Sequence, residues 1–310
     1  MIQDFSKLPG IMTGRHRTRL AVRILVLPFI ALVALSAQTS RAPAALSGNT
    51  SSPSSGKIVD HSAFDSLLRR HVVDGHVDYA AFARAPSFAS YLASLDRVDP
   101  TALDDAERLA YWLNVYNAYT IQLVVQRGET ESIRNINKTF GLLRLKGPWS
   151  EPFVRAAGRT LTLDDVMHHI LRREFSEPRI HFAMVYAAMS SPPLRSEAYH
   201  GAQLEAQLED QGRRFLRESP AANRLEKVRQ EQGQRSPMLV LSPIFTHYRA
   251  DFGITRADRS RFLAHWFDQS DSTMFQTGRY NSVESTFDWT LNSQARWAAP
   301  ARKPAPPRGQ

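Results

Sequence analysis

The chain has 310 residues, 43% hydrophobic and 22% charged, as is ordinary for a globular protein. Its formal charge of +9 sits at the two ends: Lys7, Arg15, Arg17, Arg19, Arg23, Arg41 and Lys57 stand against Asp4 alone before residue 58, and Arg302, Lys303 and Arg308 stand against no acid after residue 297. A nucleic-acid footprint belongs on the folded domain, so the balanced middle argues against nucleic-acid binding; the absence of cysteine excludes a disulfide framework, thiolate zinc sites, a thiol nucleophile and an amino-terminal lipid-modified Cys.

Arg15, Arg17, Arg19 and Arg23 precede an apolar run at residues 24–35, and Ser36, Ala37 and Ser40 follow. Positive start, short apolar run and small residues are the layout of a secretory signal peptide. Residues 24–37 rise only about 21 Å as a helix, short of a roughly 30 Å bilayer core, and Pro28 interrupts them. No Arg-Arg pair supports the twin-arginine route. Cleavage after Ser36 or after Ala42 stays open, and an uncleaved anchor over residues 1–37 is the alternative; either way the domain is exported, periplasmic or secreted, and meets a membrane only through that segment. Residues 38–57, rich in Ser, Ala, Pro and Gly, are a linker too polar to pack. Ser54 and Lys57 fit S-x-x-K by accident within it. Residues 298–310 form a second Pro-rich tail. Between them, residues 58–297 make one globular domain large enough to hold together without a metal or a disulfide.

Within that domain, Ala63, Phe64, Leu67, Leu68 and Val72 share one stripe of a helix stopping near Asp74-Gly75. Val77-Asp78-Tyr79 is extended, and a brief helix covers residues 88–95. The strongest helix spans residues 103–127, with Asp104 and Asp105 at its positive end and Gly128 at its stop. It is apolar almost all round, so neighbours bury it on most sides. Asn114 and Asn117 share a face of it, and a buried amide must be hydrogen-bonded; they brace a neighbouring loop, the favoured role, or face a pocket. Trp112, Tyr116 and Tyr119 belong to the core. A helix over residues 161–175 takes Thr162 as cap and Asp165 as its third residue, close to a capping box. Residues 179–188 suggest a buried strand broken by Ser190-Ser191-Pro192-Pro193. Helices at 196–217 and 256–267 and strands at 238–241 and 287–291 complete an α+β domain, predominantly helical with a small sheet.

Several segments together resemble a family of bacterial and plant proteins known as domain of unknown function 547: Asp74-Gly75-His76-Val77-Asp78-Tyr79; Leu109-Ala110-Tyr111-Trp112-Leu113-Asn114-Val115-Tyr116-Asn117-Ala118; Leu161-Thr162-Leu163-Asp164-Asp165-Val166 with His168 and Ile170-Leu171-Arg172; Pro178-Arg179-Ile180-His181-Phe182-Ala183; Ser191-Pro192-Pro193-Leu194-Arg195 with Ala198-Tyr199; Leu241-Ser242-Pro243-Ile244-Phe245, Tyr248 and Asp251-Phe252-Gly253; and Asp288-Trp289-Thr290-Leu291-Asn292. The resemblance covers residues 74–292. It implies Asn-Cys or Ser-Cys where this chain has Val185-Tyr186, a second Cys at Ser191 in many members, and a Glu at Met167. Thiol chemistry at the first position is therefore closed to this chain, because Tyr186 is no substitute nucleophile at neutral pH.

Ser191 could act as a nucleophile given a base within about 2.6–3.2 Å. On a strand, His181 would lie too far along the chain to serve it; His168 or His169 could reach it from the preceding helix. No G-x-S-x-G elbow surrounds Ser191. His168-His169 with His181, or His71 and His76 with Asp74 and Asp78, could be assembled into a metal site. However, there is no H-E-x-x-H pair, and adjacent helical histidines diverge by about 100°. No metal or cofactor is expected, and His181 is better read as a satisfied core histidine. Arg195 could clamp a carboxylate or phosphate, with bracing of the Ser191–Leu194 loop the favoured use. Two functions follow. One is a non-catalytic module of the cell envelope binding a small molecule or an envelope component; the other is a hydrolase or acyl-transferase with a pocket of His168, His181, Ser191 and Arg195, steadied by Asn114 or Asn117. Both require these side chains to converge beside the double-proline loop.

Overall fold

The computed structural model describes residues 57–136, 147–229, 235–253, 255–277 and 280–298. The expected export segment over residues 1–37, nearly all of the expected 38–57 linker and nearly all of the expected 298–310 tail lie outside the described residues. Among those described, no helix is long and apolar enough to cross a membrane.

Helix α1 (Ser62–His71) ends where Val72 turns extended, and strands β1 (Val72–Val73) and β2 (His76–Val77) pair antiparallel around Asp74-Gly75. Both turn residues have positive φ, 48° and 79°, the two-residue hairpin geometry that Asp-Gly favours. Asp78 then caps α2 (Tyr79–Arg84) through the Ala81 N–H, so Tyr79 is helical rather than extended. Pro86 opens α3 (Pro86–Leu95) at its first turn, where its missing N–H costs nothing.

Helix α4 (Asp105–Arg127) is the axis of the fold. The Asp104 carboxylate accepts from the Glu107 N–H, and Gly128, at φ 59°, receives the chain at the other end. Sixteen of its residues are buried, and it packs against α2, α3, the hairpin strand β3 (Val154–Ala156) and the helical segments Asp165–Leu171 and Leu204–Arg217. β3 pairs with β4 (Arg159–Leu161). Thr162 and Asp165 make the reciprocal capping pair: the Thr162 hydroxyl oxygen accepts from the Asp165 N–H, and the Asp165 carboxylate accepts from the Thr162 N–H and hydroxyl. The expected helix follows but is wound wide, as a π-helix at Asp165–Leu171 continuing into α5 (Arg172–Glu174).

Residues 179–188 are not a strand. They form a short helix, α6 (Ile180–Ala183), followed by an irregular buried loop in which Ala187 takes φ 51°. The run is apolar because it is buried on every side, not because it lies in a sheet, and its backbone is satisfied by side chains. Asn117 donates to the Ala183 carbonyl and accepts from the Val185 N–H, and Gln211 donates to the Phe182 and Pro193 carbonyls.

The expected helix from 196 starts late, after a 3₁₀ turn at Gly201–Gln203, as α7 (Leu204–Arg217). The N–H groups of Ala198, Tyr199, His200 and Gly201 are already bonded to Asp65, Asn114, Gln207 and Glu107. A three-stranded sheet follows. β5 (Arg224–Arg229) pairs antiparallel with β6 (Arg235–Leu241), and β7 (Asn281–Glu284) runs parallel to β6 on its other side. Helices α8 (Ile244–His247), α9 (Arg256–Ala264) and α10 (Gln269–Thr277) lie between β6 and β7 in the chain. Residues 287–291 form no strand; their backbone is bonded instead to Met189, Ser190 and Glu131. α11 (Gln294–Trp297) is the last described helix. The result is an α+β domain, mostly helix with small sheets.

Candidate functional site

The polar residues of the central segment do not gather in one place; they form two sets. The first surrounds the Asp251 carboxylate. Arg172 grips it with two hydrogen bonds, from Nε at 2.6 Å and from Nη2 at 2.9 Å, and His181 Nε2 reaches the same carboxylate at 2.7 Å. The Tyr248 ring stacks on His181 at 4.3 Å between centroids, with the Arg172 guanidinium 4.8 Å from its centre. Arg172 Nη1 also lies 2.9 Å from His168 Nδ1. Arginine only donates, so His168 Nδ1 accepts and the proton of the neutral ring sits on Nε2. The π-helical winding, with the Arg172 N–H bonded to the Met167 carbonyl five residues back, carries His168 and Arg172 four positions apart.

The electrostatics are consistent with this geometry. Burial by itself would raise the Asp251 carboxyl, but the hydrogen bonds from His181 and Arg172 outweigh it and hold that carboxyl well below the usual range. Burial pulls His181 down against the opposing pull of Asp251, and burial with the nearby Arg172 charge pulls His168 down as well. Both imidazoles are neutral at pH 7. Because an ionised carboxylate can only accept, His181 Nε2 carries the proton and Nδ1 keeps a bare lone pair. That nitrogen is fully buried and has no partner among the described residues. An imidazole oriented by a carboxylate with its second nitrogen unengaged is the arrangement of a general base.

Ser191 supplies no nucleophile to it. Its hydroxyl oxygen accepts from the Tyr186 N–H at 2.8 Å, and no hydrogen bond joins it to an imidazole among the described residues. Ser190 turns to the Asp288 N–H. Burial holds the Tyr186 hydroxyl far above its ordinary range, with the neighbouring Tyr248 acting in the same direction, so it stays protonated. The Tyr248 hydroxyl lies 3.6 Å from Met167 Sδ. Met167, Tyr186 and Ser191, three of the positions at which the resemblance implies other residues, thus lie along one chain of contacts that runs through Tyr248 beside the His181–Asp251 pair.

The second set lies toward α7. Asn114 donates to the Tyr199 carbonyl and accepts from its N–H, as Asn117 does for Ala183 and Val185. Each amide imitates a rung of backbone ladder. Arg195 is spent on Glu197, Asp210 and the Gln207 carbonyl. The other histidines are dispersed: His169 is exposed near Asp165, His76 stacks on Trp297, and His71 packs on Phe82. Among the described residues no three His, Asp or Glu side chains are placed to share an ion. The premise that kept His181 away from Ser191, an extended run from 181 to 188, fails with the strand, yet no hydrogen bond joins the two among the described residues.

Arg172, Tyr248 and Asp251 were given no role from sequence. Nothing local marks a residue whose partner is 70 or 79 positions away. Two clefts lie near the segments named above, one of them at the Asp251 cluster and the other at Met189. One of about 250 Å³ opens on Arg172, Glu177, Pro178 and Asp251. One of about 860 Å³ is lined by Tyr79, Glu131, Met189, Asp288, Leu291 and Arg296 among others.

No curated protein and no solved structure matches the chain. Residues 100–216, which carry α4, the His168–Arg172 helix and the loop holding Tyr186 and Ser191, match the family described as Protein of unknown function, DUF547, and over that stretch the chain resembles this family.

Proposed function

We propose that the chain is an exported, non-catalytic binding module of the cell envelope, taking a small molecule or an envelope component. The observation that carries the reading is Ser191: its hydroxyl oxygen accepts from the Tyr186 N–H, and among the described residues no hydrogen bond joins it to the imidazole that Asp251 orients. Binding needs only room, and the cleft of about 860 Å³ that Met189 helps to line is of the size that small-molecule sites occupy. Export is supported by the basic, apolar and small-residue order of residues 15–40.

The second reading, a hydrolase or acyl-transferase, draws on the same imidazole, whose Nδ1 is buried without a partner among the described residues. The full-length protein, recovered from the periplasmic or external fraction, is assayed against aryl esters and thioesters beside His181→Ala, His168→Ala and Ser191→Ala. The expected result is no turnover that any of these substitutions removes. A turnover abolished by both Ser191→Ala and either histidine variant, with circular dichroism unchanged, overturns the binding reading in favour of the second.

A further inference from the structure

Beside the sheet, a cleft of about 290 Å³ is lined by residues of β6, β7, α8 and α9. Its floor is apolar, with Phe245, Leu263 and Tyr280, and Arg249, Arg256 and Arg259 also line it. The single carboxylate of the lining is Glu284. Elsewhere in the described structure arginines are habitually matched with carboxylates: Arg172 with Asp251, Arg179 with Glu177 and Glu205, Arg195 with Glu197 and Asp210. Arg249 and Arg256 make no ion pair among the described residues.

Two of the three guanidinium groups are nevertheless held in place by backbone carbonyls. Arg256 donates to the Tyr280 carbonyl and lies 4.8 Å over the Tyr280 ring, and Arg259 donates to the Gly253 carbonyl at 3.1 Å. The bonds on Arg256 fix direction without cancelling charge, while Arg259 also acts on the neighbouring Asp258 carboxylate. The first turn of α9 is not itself the site, because the Thr255–Asp258 capping box already occupies it. What remains is a set of planar, permanently charged forks over an aromatic and aliphatic floor, the combination that grips a tetrahedral oxyanion attached to an apolar body.

We propose that this cleft binds a phosphate group carried on an apolar or aromatic body, that is, a phosphate ester. The site is independent of the Asp251 cluster and of the reading given above. A soluble ester and the headgroup of an anionic phospholipid offer the same chemistry, and separate arms of one experiment distinguish them.

Full-length protein is titrated calorimetrically with phenyl phosphate, inorganic phosphate and benzoate. It is also sedimented with vesicles of phosphatidylcholine, alone or mixed with phosphatidylglycerol. Arg249→Ala is the mild variant, since Arg249 is exposed and its loss leaves the packing untouched; Arg249→Glu reverses the charge, and Arg256→Lys keeps the charge while removing the fork. Phenyl phosphate is expected to bind more tightly than inorganic phosphate or benzoate, to weaken about tenfold in Arg249→Ala and to be lost in Arg249→Glu. Binding of phenyl phosphate without vesicle binding assigns a soluble ester. Sedimentation with phosphatidylglycerol vesicles that Arg249→Glu abolishes assigns the headgroup. No binding in either arm, binding indifferent to Arg249→Glu, or benzoate binding as tightly as phenyl phosphate overturns the proposal.

Discussion

Asn117 is the residue on which the shape of the candidate site most directly depends. Its amide satisfies one carbonyl and one N–H of a loop with no strand or helix to do so. Burying those groups unpaired costs about 1–3 kcal/mol each, against a modest net gain for each bond made. Asn117→Ala is therefore expected to lower unfolding free energy by about 2–4 kcal/mol, measured by urea denaturation. Asn117→Asp should cost no less, since a carboxylate cannot donate to the Ala183 carbonyl. Equal stability of all three proteins would show that the loop holds its own shape. Sequence went part of the way here: two amides three apart on an apolar helix announced buried hydrogen bonding, and bracing was the favoured use. Their partners, Ala183 and Tyr199, lie 66 and 85 positions away and left no local trace.

At the scale of elements, the hairpin of β1 and β2 is pressed against the double-proline loop. A Cβ on Gly75 would stand 2.7 Å from Pro193 Cβ and 2.9 Å from its Cα, whereas one on Gly128 would meet nothing within 4 Å. Both glycines have positive φ, so both substitutions carry the left-handed penalty of roughly 1 kcal/mol. Only Gly75→Ala adds overlap with a rigid ring. Gly128→Ala is expected to lower stability by about 1 kcal/mol and Gly75→Ala by clearly more, read as the shift in thermal midpoint. A larger effect at Gly128 would contradict the contact with Pro193.

Elements with a period or a cap were legible: α1, α3 and α4 fall close to where their apolar stripes, aspartates and Gly128 place them, and the Thr162–Asp165 cap forms as its spacing suggests. The run at 179–188 was not. A short apolar stretch between turn residues looks alike whether it is a strand or a buried turn of helix with a loop, and here the surroundings chose the latter. α2 escaped because its six residues are too few to show a period, and α10 and the strands β5 and β7 because their short, largely polar sequences carry neither period; β7 is exposed along its whole length.

For the whole molecule, the buried histidines set the response to acid. His61, almost wholly buried with Nδ1 2.8 Å from the Tyr91 hydroxyl, is pulled down to about 3 by burial, with His200 adding to the effect. His168 and His181 are also lowered, by burial first. A histidine whose folded value lies below its unfolded value of about 6.5 leaves the unfolded chain binding more protons, so stability rises with pH through that interval. The contribution is complete above about pH 6.5 and is lost on acidification, for His61 until about pH 3. Asp251, lowered by His181 and Arg172 against the effect of burial, adds a loss of the same sign that begins below about pH 4. Acidification from pH 7 to 5 is expected to lower stability, with His61 alone worth about 2 kcal/mol. His61→Asn, which can keep a hydrogen bond to Tyr91, is expected to flatten that slope in a denaturation series across pH. An unchanged slope would remove His61 from the account.

What the sequence alone determined is what short-range physics writes into neighbouring residues: a mostly helical α+β domain, the central helix with its caps, the resemblance carried by ordered segments, and the want of any thiol. Tertiary structure alone decided which side chains meet. It closed Asp251 onto Arg172 and His181, turned Ser191 toward the Tyr186 N–H instead of an imidazole, sent Arg195 to α7, and left arginines around a cleft by the sheet. Periodicity and capping act over three or four residues, whereas each of those outcomes rests on packing between distant parts of the chain, where position is fixed by burial and not by spacing.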